Sequence, residues 1–124
     1  MTSHRIQRLN EQLRRELTEI LRAELRDPRV SSVTVTRVQT TSDLQQARVF
    51  ITSLGGDAER ETTMEGLDAA RPFLRSALAR RMQLRRTPEL VFEWDVGLDH
   101  ARRIEELLAQ VRPPEPDEGD DADE

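Results

Sequence analysis

From Ile6 to Leu21 an apolar residue recurs every three or four positions, and from Ser32 onward the period drops to two. No single type of element accommodates both patterns, so the chain must mix helix and sheet. At about 100° per residue, Ile6, Leu9, Leu13, Leu17, Ile20 and Leu21 fall on one stripe, which predicts an amphipathic helix over 5–26. Ser3 is placed to cap its start. Asp27-Pro28 is placed to end it, because the residue before proline is pushed out of the α region. Residues 32–39 and 46–54 alternate and are rich in β-branched side chains, so they predict two strands. The connection between them is short enough for an antiparallel pair, and Gly55-Gly56-Asp57 closes the second.

A further helix is expected from Glu59 to Ala70. Pro72 follows it, and proline removes a backbone donor and clashes with the preceding turn, so a kink or a break is expected there. A second helical segment is expected from Phe73 to Gln83, stopped by Thr87-Pro88. Leu90, Phe92 and Trp94 alternate as a third strand. Leu98, Ala101, Ile104, Leu107, Leu108 and Val111 recur at helical spacing over 98–111. The order is α-β-β-α-(kink)-α-β-α. Three strands with the helices gathered on one face make a two-layer α+β domain over residues 1–112. Pro113-Pro114 ends it, and residues 113–124 are expected to be a disordered acidic tail.

Composition narrows the function. The 124 residues contain no cysteine, which excludes disulfides, thiolate metal sites and cysteine nucleophiles. Apolar runs are far shorter than a membrane span, and Met1 to Arg15 lacks the apolar core of a secretory signal, so the expectation is a soluble cytoplasmic protein. The net charge of −5 averages two unlike regions. Residues 113–124 hold seven acids and no base. The remainder sets nineteen arginines against seventeen acids, a net of +2, with no lysine anywhere. Arginine forks onto phosphate and stacks on bases, which suits a nucleic-acid partner. Codon usage in a GC-rich genome also accounts for missing lysine.

Catalysis is poorly supported. His4 and His100 lie far apart and fit ordinary exposed or helix-end positions, and no glycine-rich phosphate loop is present. The strongest charge feature is residues 69–88, with Arg71, Arg75, Arg80, Arg81, Arg85 and Arg86 and no acid. A polyanion partner explains such one-sidedness, as does a solvated helix face balanced by acids elsewhere. A helical wheel turns Phe73, Leu74, Ala77 and Leu78 inward and Arg75, Ser76, Ala79, Arg80 and Gln83 outward. Arg81 falls within the apolar arc and must snorkel or pair. The small Ser76 and Ala79 leave room for a sugar-phosphate backbone between Arg75 and Arg80. On the first helix, Arg8, Arg15, Arg22 and Arg26 form a secondary basic stripe. Glu11–Arg15 and Arg15–Glu19 stand four apart, the spacing of surface ion pairs. Phe92 and Trp94 read as core, so no aromatic stacking platform is expected.

Several blocks then occur in a specific order. They are Leu25-Arg26-Asp27-Pro28-Arg29, Val33-Thr34-Val35-Thr36-Arg37-Val38, Ser42-Asp43-Leu44 and Ala47-Arg48-Val49. Phe73-Leu74-Arg75, Leu84-Arg85, Pro88-Glu89-Leu90-Val91-Phe92 and Asp95 follow. In this order and spacing, over nearly all of residues 3–111, the chain resembles the ribosome-binding factor A (RbfA) family. The resemblance implies a KH-like fold of the bacterial, type II, kind. It implies binding to 16S ribosomal RNA in the immature, free 30S subunit, help in late assembly and in 5′-end processing of the precursor, growth in the cold, and release before translation. It implies no catalytic activity and no cofactor. The family's kink falls at an Ala-x-Gly element, matched here by Ala70-Arg71-Pro72, with proline in the glycine position. Proline there withdraws one N–H from any backbone contact with RNA but still supplies a bend.

The expected RNA contacts are therefore Arg71, Arg75, Arg80, Arg85 and Arg86, with Ala70 and Pro72 setting the bend, and Arg8, Arg15 and Arg22 as a secondary set. The chain is expected to act as a monomer, without a membrane or a small-molecule substrate. An Arg-rich adaptor docking an acidic protein is the alternative. A duplex-DNA regulator would need a dimer reading two half-sites, and no dimer-forming segment stands out. The acidic tail either solubilises the chain or mimics a polyanion and competes for the arginines.

Overall fold

The computed structural model describes residues 3–111, the side chain of Asp99 excepted. The acidic segment 113–124, and with it the expected tail boundary, lies outside the described residues. Helix α1 spans His4–Ala23, and Ser3 caps it as expected, its Oγ accepting from the Ile6 amide at 3.2 Å. Leu13, Leu17, Ile20 and Leu21 are buried. The helix stops three residues short of the expected end. The amides of Glu24 and Leu25 both donate to the Ile20 carbonyl, and this turn seats Leu25 against the core. Asp27-Pro28 instead opens a 3₁₀ turn over Pro28–Val30, where Asp27 Oδ1 accepts from the Arg29 amide at 2.9 Å.

Strands β1 (Val33–Thr40), β2 (Gln46–Ser53) and β3 (Glu89–Trp94) form one sheet in the order β1-β2-β3. The β1–β2 pair is antiparallel, as expected from its short loop, and runs from Val33 opposite Ser53 to Thr40 opposite Ala47. Thr36 is a bulge in this ladder, between Val35 and Arg37. The β2–β3 pair is parallel and therefore needs a long crossover. Helix α2 (Arg60–Met82) is the body of that crossover.

Here the structure excludes a break at Pro72. The two segments separated at Pro72 are one helix of 23 residues, with Pro72 inside it and exposed. Proline's missing N–H orphans the carbonyl of residue 68, and Asp68 is on the exposed side, where water can take that carbonyl. Meanwhile Leu67, Leu74, Ala77 and Leu78 are fully buried on the other side and hold both halves to the sheet. Gly66 lets the Pro28–Val30 turn approach: a Cβ there would stand 2.9 Å from Arg29 Cβ and Val30 Cγ1. Phe73, expected inside, is 39% exposed.

The core lies between α1, α2 and one face of the sheet, where Val35, Val38, Ala47, Val49, Ile51, Leu90, Phe92 and Trp94 are buried. No helix layer is needed to bury Phe50 on the opposite face. The guanidinium of Arg37 stacks 3.8 Å from its ring centroid, Arg48 lies at 5.1 Å, and Glu93 fixes Arg48 through two hydrogen bonds. The last helix, α3 (Val96–Val111), adds little to that core, although the helical spacing of its apolar residues predicts a buried stripe. Leu98, Ile104, Leu107, Leu108 and Val111 keep between 41% and 73% of their surface exposed.

Candidate nucleic-acid interface

The six arginines of the acid-free segment do not share one surface, as the wheel requires. Arg71 and Arg75 sit on the flank of α2 that faces β3. The Arg71 guanidinium lies 5.7 Å from the Phe92 ring centroid and donates to Asp68 Oδ1 at 2.6 Å. Arg75 reaches across to the strand approach, donating to the carbonyls of Thr87 at 3.0 Å and Pro88 at 3.3 Å. Arg80 and Arg81 turn the other way, toward α1. Arg81 pairs with Glu16 at 2.6 Å and Glu24 at 2.8 Å, which meets the expectation that it must pair. The Glu16 bond chiefly, with Glu24, holds its pKa above the usual arginine value. Arg80 is held only loosely, 3.9 Å from Glu24, and is 64% exposed.

Arg85 and Arg86 follow the helix in an exposed loop and make no ion pair or hydrogen bond among the described residues. Their direction is set by Gln83, which ends α2 in the left-handed conformation at φ 54°. The amides of Gln83 and Leu84 then both donate to the Ala79 carbonyl. Ser76 is exposed and Ala79 half-buried, so the C-terminal half of α2 presents a low strip between Arg75 and Arg80. Two of the expected positions are placed differently from the arginines. Pro72 is exposed on the helix, while Ala70 is 8% exposed within the core and presents no side chain to a ligand.

On α1 the ion pairs form at three residues' spacing, Glu11 with Arg14 and Glu19 with Arg22, and not through Arg15. Arg8 and Arg15 are thus exposed without ion pairs among the described residues, whereas Arg22 is engaged. Arg60 lies outside the acid-free window that marks the basic stretch in the sequence. It stands 5.9 Å from the Trp94 ring centroid, on the same flank of α2 as Arg71 and Arg75. The signal was the helical period, since eleven and fifteen residues both return near the same direction.

Asp95 joins the sheet to α3. Its Oδ1 accepts from the Leu98 amide at 3.1 Å, and its Oδ2 accepts from the Thr36 hydroxyl at 2.5 Å. Burial pushes this carboxyl upward, but the Thr36, Leu98 and Gly97 hydrogen bonds and the nearby Arg37 outweigh it and hold its pKa below the usual carboxylate value. The Thr36 bulge thus serves a contact 59 residues away. No helix among the described residues is long and apolar enough to cross a membrane.

Comparison with known proteins decides the family. A model of the family described as ribosome-binding factor A matches residues 5–108. The chain belongs to the ribosome-binding factor A family. The crystal structure of ribosome-binding factor A from Thermus thermophilus is 34% identical, with a TM-score of 0.64, over 70% of this chain and 91% of that one. A Thermotoga maritima candidate ribosome-binding factor A, solved in solution, is 34% identical with a TM-score of 0.66, over 75% of this chain and 89% of its own. A Thermus thermophilus RbfA homology model, fitted into the cryo-electron-microscopy map of a 30S–RbfA complex, is 34% identical with a TM-score of 0.62. It is covered over 96% of its length and covers 73% of this chain. The family is one of ribosome-binding factors, and the three-stranded mixed sheet with its helices is consistent with the KH-like fold that the resemblance implied.

Proposed function

We propose that this chain binds 16S ribosomal RNA in the free small ribosomal subunit and assists its late maturation, including 5′-end processing of the precursor, without catalysing a reaction itself. The observation that carries this reading is the set of exposed arginines, Arg75, Arg80, Arg85 and Arg86, on the C-terminal half of α2 and the loop after it, in a chain of the family whose Thermus thermophilus member was fitted into a 30S complex. Arg75, Arg80, Arg85 and Arg86 would meet phosphates, with Arg71 at the near end. Ser76 and Ala79 let the backbone come close. Ala70 and Pro72 shape the helix without contributing a charge, and Arg8, Arg15 and Arg22 form a secondary contact. Recognition then rests on charge and shape rather than on stacked bases.

Two measurements test it. In a sucrose gradient of cell extract the protein should co-migrate with free small subunits and not with translating ribosomes. A protein found only at the top of the gradient at every salt overturns the reading and favours the protein-adaptor alternative. The double variant Arg75→Ala with Arg80→Ala should weaken binding to 16S RNA and lower the salt slope by roughly 0.7 to 0.9 per lost contact. Unchanged affinity would remove these residues from the interface.

A further inference from the structure

The flank of α2 that faces β3 gathers hydrogen-bond donors and leaves some of them without acceptors. Glu89 and Asp95 donate their amides to Gln45 and Ile51, which turns the odd-numbered N–H groups of β3 toward the sheet. The N–H and C=O groups of Leu90, Phe92 and Trp94 therefore point to the open edge of β3. Arg75 already reaches that edge, since it donates to the Pro88 carbonyl. Arg71 and Arg60 lie over the rings of Phe92 and Trp94, further along the same seam. Two buried N–H groups there, Arg71 Nε and the indole N–H of Trp94, have no acceptor among the described residues. Such a seam suits an extended peptide that meets the backbone groups of the open edge and brings carboxylates to the guanidinium and indole donors.

This chain carries that ligand. Residues 113–124 hold seven acids and no base. Their attachment point is near the seam. Helix α3 starts beside Trp94, and Arg103 pairs with Asp57 at 3.1 Å, just before α2. From Arg103 to Val111 is about 12 Å of helix, and from Arg60 to Arg71 about 16 Å. The thirteen residues after Val111 can span up to about 43 Å. That covers both distances and the width of the ion pair joining them. A tethered segment of this length meets its own seam at roughly millimolar effective concentration.

We propose that the acidic segment 113–124 docks on the seam between α2 and the open edge of β3, at Arg60 and Arg71 and toward Arg75, and there competes with RNA. The competition rests on the RNA reading given above; the docking does not. It makes the chain self-screening, so that only a partner of much higher charge density, or many simultaneous contacts, displaces the segment.

The test compares the full chain with a full-length variant carrying Glu115→Gln, Asp117→Asn, Glu118→Gln, Asp120→Asn, Asp121→Asn, Asp123→Asn and Glu124→Gln. Trp94 is the one tryptophan, so its indole N–H gives a single nitrogen-15 resonance. Neutralising the acids should move that resonance and the amides of Arg60, Arg71 and Phe92. Arg60→Gln with Arg71→Gln, in the natural tail background, should reproduce the indole shift. Binding to transcribed 16S RNA should tighten at least about threefold at low salt, with the two chains converging as salt approaches about 1 M, where the Debye length falls to about 3 Å. An unmoved indole and amide changes confined to the end of α3 overturn the proposal, and do so even if RNA binds. A shifted indole with no RNA binding by either chain sustains the docking and overturns the RNA reading instead.

Discussion

At the residue scale, the decisive fact is how much of each guanidinium is already engaged. Arg81 is committed to Glu16 and Glu24, Arg75 to two loop carbonyls and Arg71 to Asp68, whereas Arg85 and Arg86 meet nothing among the described residues. Charge count along the sequence could not separate these, because the acids that take up Arg81 come from α1, more than fifty residues away. The wheel did separate Arg81, because a cation inside an apolar arc has to find a partner. Gln83 carries a different cost. A side-chain-bearing residue in the left-handed region is strained by roughly 1 kcal/mol or more, and glycine is not. Gln83→Gly is expected to raise stability by about 0.5–1 kcal/mol, read from the urea midpoint, with the direction of the Arg85–Arg86 loop unchanged. A loss of stability would show that the Gln83 side chain makes a contact worth more than the strain.

At the element scale, most of the fold was legible because each element carries its own period. The stripe of α1, the alternation of the three strands and the spacing of α3 all reappear within a few residues. What local pattern could not supply was the fate of Pro72, because that depends on Leu67 and Leu74 being pinned by strands distant in sequence. The order of the strands was equally hidden, since only a parallel β2–β3 pair explains why α2 must be long. Proline inside a helix costs up to about 3 kcal/mol, so Pro72→Ala should stabilise the chain, by an amount short of that limit where the packed face already offsets it. Slower amide exchange across residues 68–76 should accompany the gain. If instead stability falls, the proline ring is packing against something that matters more than the lost hydrogen bond. The joint between β3 and α3 makes a prediction about pH. Asp95 has a folded pKa below its unfolded one, so its contribution is present above about pH 4 and lost as pH falls through the lowered value. Asp95→Ala should therefore cost about 1–2 kcal/mol at pH 7, as loss of a helix cap does, and much less near pH 2. Denaturant titrations of both chains at the two pH values measure the difference. An equal cost at both would assign the effect to packing rather than to the carboxylate.

At the scale of the whole molecule, the summed charge is a poor guide to what the chain binds. A net of −5 would steer a rigid, evenly charged body away from RNA, yet the deficit sits in residues 113–124, and the described body is mildly cationic, with unpaired arginines both in the loop after α2 and on α1. Salt dependence reads this distribution directly, since it counts the cations that release counterions and ignores those already neutralised by the protein. Arg85→Ala and Arg86→Ala should each lower the salt slope of 16S RNA binding by roughly 0.7 to 0.9, with almost no change in thermal midpoint. Arg81→Ala should do the reverse. Its charge is balanced by Glu16 and Glu24, so the slope should hold while the midpoint falls, because α1 and α2 lose their bridge and two carboxylates are left facing each other. A slope lowered equally by all three substitutions would mean that the ion pairs open when RNA arrives, and that the interface extends over the α1 side of α2 as well.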